Sequence, residues 1–124
     1  MTDIMLVDDE VLALEYLKNM VDWERNGYHV VGCATSGKKA LELFDRTHPQ
    51  IVISDIRMPG TDGLELTRQI KEKDKETVVI LLSAYRDFDY AQKGIRYGVS
   101  NYLLKHEFTH EQWSGYHSVK KITD

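Results

Sequence analysis

Short aliphatic runs recur along the chain and alternate with segments whose apolar residues repeat at helical spacing. The runs cover residues 4–7, 28–34, 51–54, 77–83 and 100–104. Because most of these runs lack the apolar–polar alternation of a half-exposed sheet, they predict strands that are buried on both faces, as in a parallel sheet.

Helical patterns fill the intervals between the predicted strands. The first covers residues 10–24 and places four apolar residues on one stripe: Val11, Leu14, Leu17 and Val21. The next two begin after Ser36 and Asp62, which are candidate N-caps. The fourth, over residues 86–97, has its own apolar set: Phe88, Ala91 and Ile95. Residues 108–122 give the weakest pattern, so the alternation predicts an α/β fold with right-handed crossovers.

Composition restricts the possible classes of protein. A chain of 124 residues has the size of one domain, and its net charge of -4 argues against direct binding to nucleic acid. The single cysteine, Cys33, excludes a disulfide within the chain, and we expect it to be buried. The N-terminus does not resemble a secretory signal, and the longest aliphatic run, 78–82, is too short to span a bilayer. We therefore expect a cytoplasmic protein.

Polar residues stand at the carboxyl ends of the predicted strands, where open parallel sheets bind their ligands. They are Asp8, Asp9, Asp55, Ser83 and Lys105. Two carboxylates about 4 Å apart repel by roughly 4 kcal/mol at an effective dielectric near 20, so three of them in one pocket suggest a divalent cation. Oxygen ligands together with several waters suit Mg²⁺. With Lys105 as a further positive charge, the site can take a phosphoryl group, and Asp55 can be the nucleophile.

Four segments resemble the receiver domain of two-component response regulators. They are LVDDE at 6–10, IVISDIRMPGTDG at 51–63, ILLSAY at 80–85 and NYLLK at 101–105, in the order and spacing of that family. The resemblance covers residues 3–105 and implies a flavodoxin-like (βα)5 three-layer sandwich. Its five-stranded parallel sheet would have the order 2-1-3-4-5. On this reading residues 1–124 form a single receiver domain.

The same resemblance assigns a metal site. It implies that Asp9 and Asp55 bind Mg²⁺ or Mn²⁺ directly, together with the backbone carbonyl of Arg57. Asp8 would act on the ion through a water molecule. Asp55 would be the phosphoacceptor that receives its phosphoryl group from a sensor histidine kinase.

The remaining roles implied by the family concern the phosphoryl group and the response to it. Ser83 and Lys105 would contact the phosphoryl oxygens. Ser83 and Tyr102 would form the switch that changes the output surface. Such a domain is not an enzyme with a separate substrate, although it assists its own phosphorylation and dephosphorylation.

Two departures from the family pattern lie near the end of the chain. His106 stands where the family usually has a proline after Lys105, so we expect a trans peptide bond, because a cis bond here would cost about 2.5–4 kcal/mol. Residues 106–124 also lack the leucine-rich pattern of the usual last helix. We therefore expect this last helix to be atypical.

A narrower likeness concerns the partners of the domain. Residues 21–34 and 83–105 look like receivers that are attached to AraC-type DNA-binding domains in bacterial regulators. This likeness implies control of transcription, with DNA contacted only through a domain absent from this chain. A homodimer through the fourth helix, fifth strand and fifth helix would be a further partner.

Three other functions are compatible with part of the pattern. A haloacid-dehalogenase-like phosphatase also has a strand-end Asp nucleophile, but it needs a second Asp where this chain has Arg57. A flavin-binding flavodoxin-like protein needs a Ser/Thr/Gly-rich loop where this chain has DDEV at 8–11. A receiver-like interaction domain that works without phosphorylation is disfavoured by the acidic set, whereas His106 leaves it open.

Overall fold

The computed structural model describes residues 1–84 and 88–105. Five parallel strands form one sheet: β1 (Thr2–Val7), β2 (Tyr28–Ala34), β3 (Ile51–Asp55), β4 (Val78–Ser83) and β5 (Asn101–Leu104). Four helices connect them: α1 (Val11–Met20), α2 (Gly37–Thr47), α3 (Gly63–Lys73) and α4 (Phe88–Arg96). The strand order β2-β1-β3-β4-β5 confirms the predicted fold, while the predicted fifth helix lies outside the described residues.

The sheet is covered on both faces, which gives two apolar clusters. Residues of β3 alternate between them: Ile51 and Ile53 belong to the cluster under α1, and Val52 belongs to the cluster under α2 and α3. All five residues of β3 are buried. The strand that ends in Asp55 is therefore the centre of the fold and a rigid support for that side chain.

Helix starts follow the predicted capping residues. The Ser36 side chain accepts a hydrogen bond from the Lys39 N–H at 3.1 Å, and Asp62 accepts one from the Glu65 N–H at 2.9 Å. Both N-cap predictions are thus confirmed. None of the helices that the structure describes is long and apolar enough to cross a membrane.

The first helix is shorter than predicted and its stripe is incomplete. It ends at Met20, because Val21 has extended backbone and residues 22–27 form a turn in which Trp23 packs edge-on against Tyr28. The first residue, Val11, is 61% exposed, whereas the other three members of the stripe are buried. The first turn of α1 lies beyond the carboxyl end of β1, so Val11 has no sheet to cover.

Two further apolar side chains are exposed: Ile95, from the apolar set of the fourth helix, and Cys33, whose predicted burial is wrong. Ile95 of α4 is 73% exposed, and the neighbouring Gly94 faces the sheet instead. A Cβ atom at Gly94 would lie 3.0 Å from Val99 Cγ1 and 3.7 Å from Leu81 Cδ1, so Gly94 allows the helix to approach its neighbours closely at this point. Cys33 is exposed, because β2 is an edge strand of the sheet.

Candidate functional site

Three carboxylates meet at the carboxyl edge of the sheet. Asp55 is the last residue of β3, and Asp8 follows β1; both are buried, with residue exposures of 7% and 4%. Asp9 is exposed. Each of the three offers a carboxylate oxygen, and these oxygens all lie within 4.8 Å of one another. The structure thus brings the acidic residues singled out by the sequence into one cluster.

Lys105 reaches this cluster from the end of β5. Its Nζ atom lies 2.8 Å from Asp8 Oδ2 and 3.4 Å from Asp55 Oδ1, and its side chain is 27% exposed. Because β4 and β3 stand between β5 and β1, the long side chain spans the sheet edge to reach Asp8. One ammonium therefore lies between the two buried carboxylates.

Backbone N–H groups hold the two buried carboxylates by hydrogen bonds. The Ile56 N–H donates to Asp55 Oδ1 at 2.9 Å, and the Glu10 N–H donates to Asp8 Oδ1 at 3.0 Å. The backbone of Asp55 is also held, because the Ser54 hydroxyl donates to its carbonyl oxygen at 2.8 Å. Both side chains consequently have a defined direction before any ligand binds.

Burial and like charge dominate the electrostatics of the cluster. Burial, followed by the negative charge of Asp8, raises the pKa of Asp55 to about 6, although Lys105 and the Ile56 N–H act in the opposite direction. Burial lowers the pKa of Lys105, but the hydrogen bonds and charges of Asp8 and Asp55 outweigh this and leave it raised. Lys105 carries one positive charge beside three carboxylates, so the cluster can accept a divalent cation.

A cavity of about 260 Å³ opens beside Asp55. It is lined by Asp9, Glu10, Asp55, Arg57, Ala84 and Lys105. Carboxylate oxygens beside a cavity that can also admit water are the donors that Mg²⁺ and Mn²⁺ prefer, so the residues present fit such an ion. Arg57, whose backbone carbonyl the family resemblance names as a ligand, is among the residues that line this cavity. Glu10 was not singled out by the sequence, although it is the third acid of a consecutive run.

The two expected switch residues lie on strands β4 and β5. Ser83 ends β4, is 1% exposed and pairs with Leu104. Tyr102 is half-buried, pairs with Leu81 and packs against the cluster under α2 and α3. Because Leu81 and Ser83 are two residues apart in one strand, Ser83 and Tyr102 share a face of the sheet. His106, with the expected trans bond before it, lies outside the described residues.

A doubly wound parallel sheet with an acidic cluster and a lysine at its carboxyl edge defines the class of α/β proteins that bind a ligand at this edge of the sheet. Residues 4–112 match the response regulator receiver domain family. The chain belongs to this family and is a receiver domain of a two-component response regulator. The alternative of a phosphatase is not favoured.

Curated relatives support the same class. The chain is 39% identical over 105 residues to the uncharacterized transcriptional regulatory protein YesN of Bacillus subtilis, covering 85% of this chain and 28% of that protein. It is 38% identical over 105 residues to the transcriptional regulatory protein HptR of Staphylococcus aureus, covering 85% of this chain and 41% of that protein. The chain thus spans less than half the length of these relatives.

Solved structures agree with the fold. The receiver domain of AraT, a response regulator from Geobacillus stearothermophilus, superposes with a TM-score of 0.87 at 31% identity, covering 98% of this chain and 94% of that one. The receiver domain of the response regulator NarL from Mycobacterium tuberculosis gives a TM-score of 0.80 at 28% identity, covering 89% and 87% of the two chains. The (βα) architecture and strand order are therefore those of known receivers.

Proposed function

We propose that Asp55 is the phosphoacceptor of this receiver domain and takes its phosphoryl group from a phosphohistidine of a sensor kinase. The observation that carries the proposal is the convergence of Asp8, Asp9 and Asp55 within 4.8 Å, with Lys105 at 2.8 and 3.4 Å from the two buried carboxylates. A buried carboxylate at a strand end is costly, so its retention there suits a chemical role.

In the proposed reaction a carboxylate oxygen of Asp55 attacks the phosphorus atom and forms an acyl phosphate. The P–N bond of the phosphohistidine breaks, its electron pair stays on the imidazole nitrogen, and that nitrogen takes up a proton. The Lys105 ammonium and the Ser83 hydroxyl bind the transferred oxygens. Backbone groups hold Asp55 in place, so little reorganisation is needed before attack.

Asp9, Asp55 and the Arg57 carbonyl would hold Mg²⁺ or Mn²⁺ directly, and Asp8 through water. When bound, the ion neutralises charge on the phosphoryl oxygens. Once Asp55 carries the phosphoryl group, Asp8 and Asp9 remain as carboxylates beside it and would orient the water that later hydrolyses the acyl phosphate. The domain in this way assists its own phosphorylation and dephosphorylation.

The output of the domain follows from the added charge. A phosphoryl group contributes about -1.5 to -2 charge units, and this charge draws the Ser83 hydroxyl towards the site. Because Tyr102 shares the sheet face of Ser83, its packing responds and changes the surface formed by α4 and β5. That surface, with the residues beyond Lys105, is where a homodimer would form. In a longer regulator of transcription, a separate domain would contact DNA.

Intact mass spectrometry after incubation with acetyl phosphate and Mg²⁺ tests the proposal. One phosphoryl adduct is expected, and it should be absent with EDTA and in Asp55→Asn. The matched control is Asp45→Asn, since Asp45 is an exposed acid on α2 that pairs with Lys73 at 2.9 Å. An adduct that forms in Asp55→Asn, or that forms equally well without a divalent cation, would contradict the assignment.

A further inference from the structure

The peptide group that joins Asp55 to Ile56 is anchored at both of its ends. Its carbonyl oxygen accepts the Ser54 hydroxyl at 2.8 Å. Its N–H donates to Asp55 Oδ1 at 2.9 Å and to the Leu82 carbonyl at 3.1 Å. Because a peptide group is planar, the bond that fixes its carbonyl also fixes the direction of the N–H that holds the carboxylate.

The first residue of α3, Gly63, lies directly against the same peptide group. A Cβ atom at Gly63 would lie 2.4 Å from the Asp55 carbonyl oxygen and 2.8 Å from Ile56 Cα. The Gly63 N–H also donates to the Ile56 carbonyl at 2.8 Å. The peptide group therefore has no room to turn towards α3, and Ser54 holds its carbonyl from within the strand.

Ser54 is an unusual residue for its place in the strand. It is fully buried, and its partners in the neighbouring strands are Val7 and Leu81. Strands that are buried on both faces normally carry aliphatic residues, and a buried hydroxyl is costly unless it is hydrogen-bonded. The Ser54 hydroxyl donates to the backbone carbonyl of the proposed phosphoacceptor. The position therefore has a role that an aliphatic residue cannot fill.

We propose that Ser54 is a positioning residue for phosphoryl acceptance. Its hydroxyl orients the Asp55–Ile56 peptide group, whose N–H in turn holds the Asp55 carboxylate towards the cavity. Ser54 acts through Asp55 and does not itself contact the phosphoryl group. The inference rests on the proposed function of Asp55 and goes beyond it by naming the residue that orients the nucleophile. Such orientation matters because small displacements of reacting atoms lower the reaction rate strongly.

The test measures phosphorylation by acetyl phosphate at saturating Mg²⁺ in three variants. We expect the rate constant of Ser54→Ala to fall about five- to tenfold, the order of effect of losing one hydrogen bond. Ser54→Thr keeps a hydroxyl and should react at close to the wild-type rate. The control is Thr77→Val. Thr77 is also buried, its hydroxyl has no hydrogen-bond partner among the described residues, and it lies just before β4, at the opposite end of that strand from the site. The rate of this variant should not change.

A second measurement follows the anchored peptide without any phosphodonor. In Ser54→Ala the Ile56 amide should exchange its hydrogen about five- to tenfold faster than in the wild type, relative to the Ile53 amide of the same strand. If Ser54→Ala does not fold, Ser54→Cys replaces it, since a thiol has similar size but is a weaker donor.

The outcomes separate the inference from the proposed function. A wild-type chain that takes no phosphoryl group on Asp55 overturns the proposed function, and the inference falls with it. A wild-type chain that is phosphorylated while Ser54→Ala reacts at the same rate overturns the positioning role alone. Equal slowing of Ser54→Ala and Ser54→Thr would also overturn it, because the effect would then not follow the hydroxyl.

Discussion

At the scale of single residues, Asp55 combines a buried position with the nearby negative charge of Asp8. Burial and Asp8 raise its pKa from 3.8 to about 6, even though Lys105 and a backbone N–H stabilise the ionised form. The folded protein therefore holds an ionised carboxylate at neutral pH at a cost in stability. Such a cost is typical of a group that is kept for its chemistry.

The raised pKa predicts a pH-dependent stability for the metal-free protein. Between about pH 4 and pH 6 the folded chain binds more protons at Asp55 than the unfolded chain does, so the free energy of unfolding falls as the pH rises through this range. The stability that comes from the protonated Asp55 carboxyl is complete below the unfolded pKa and is lost as the pH rises through the folded pKa. Asp55→Asn cannot ionise and should raise the free energy of unfolding at pH 7 by about 2 kcal/mol. At pH 5 the difference in free energy of unfolding between Asp55→Asn and the wild type should be smaller by about 1 kcal/mol.

Urea unfolding in EDTA at the two pH values measures this difference. The comparison is between the wild type and Asp55→Asn at each pH, so titration of the other acids cancels to first order. An advantage that is equal at both pH values, or larger at pH 5, would show that the ionisation of Asp55 is not its cause.

At the scale of the elements, aliphatic runs and capping residues predicted most of the secondary structure. Strand β2 begins and ends where its run does, and α2 and α3 begin after Ser36 and Asp62. The apolar pattern predicted a first helix that continues past Met20, where α1 ends. Val21 and Trp23 are buried as the pattern indicates, but they lie in the turn that follows the helix. Periodicity cannot distinguish these two ways of burying a side chain.

The site was predictable where it depends on residue type at strand ends, and less so where it depends on packing. Asp8, Asp55 and Lys105 stand directly at or after strands, and strand order brings them together. The contribution of Ser54 was not visible, because a serine inside an aliphatic run reads as an ordinary strand residue. Its role depends on a backbone hydrogen bond that no spacing rule describes. The exposure of Cys33 likewise depends on its strand being at the edge.

The contact between α3 and the end of β3 predicts the effect of a methyl group at Gly63. A Cβ there would lie 2.4 Å from the Asp55 carbonyl oxygen, and backbone cannot move away as a side chain can. Gly63→Ala should therefore lower the free energy of unfolding by about 1–3 kcal/mol, as overpacking does. It should also slow phosphorylation, since the peptide group next to Asp55 must shift.

Gly32→Ala is the matched control for this prediction. The nearest neighbour of a Cβ at Gly32 would be the Leu43 side chain, with its Cδ2 atom at 2.8 Å, and that side chain can rotate. Chemical unfolding and phosphorylation rates of both variants provide the measurement. Equal losses for the two variants would refute the idea that α3 presses on the backbone at Asp55.

At the scale of the whole molecule, the acidic cluster links ion binding to folding. An ion that binds only the folded state raises the free energy of unfolding by RT ln(1 + [L]/Kd), which is about 1.4 kcal/mol at ten times Kd. For a domain of this size that increment corresponds to a rise in melting temperature of about 5–8 °C. We therefore expect Mg²⁺ to stabilise the wild-type chain, whereas Asp9→Ala should not respond.

The choice of Asp9 makes this prediction specific to the ion. Asp9 is exposed, but its carboxylate lies within 4.8 Å of those of Asp8 and Asp55, so its removal should relieve repulsion and raise the stability of the metal-free protein. Asp45→Ala, also an exposed acid, serves as the control and should keep the full response to Mg²⁺. Thermal unfolding with Mg²⁺ or EDTA compares the three proteins. If Asp9→Ala gains as much melting temperature from Mg²⁺ as the wild type, Asp9 does not hold the ion, and the cluster formed by the sheet edge binds it in another way or not at all.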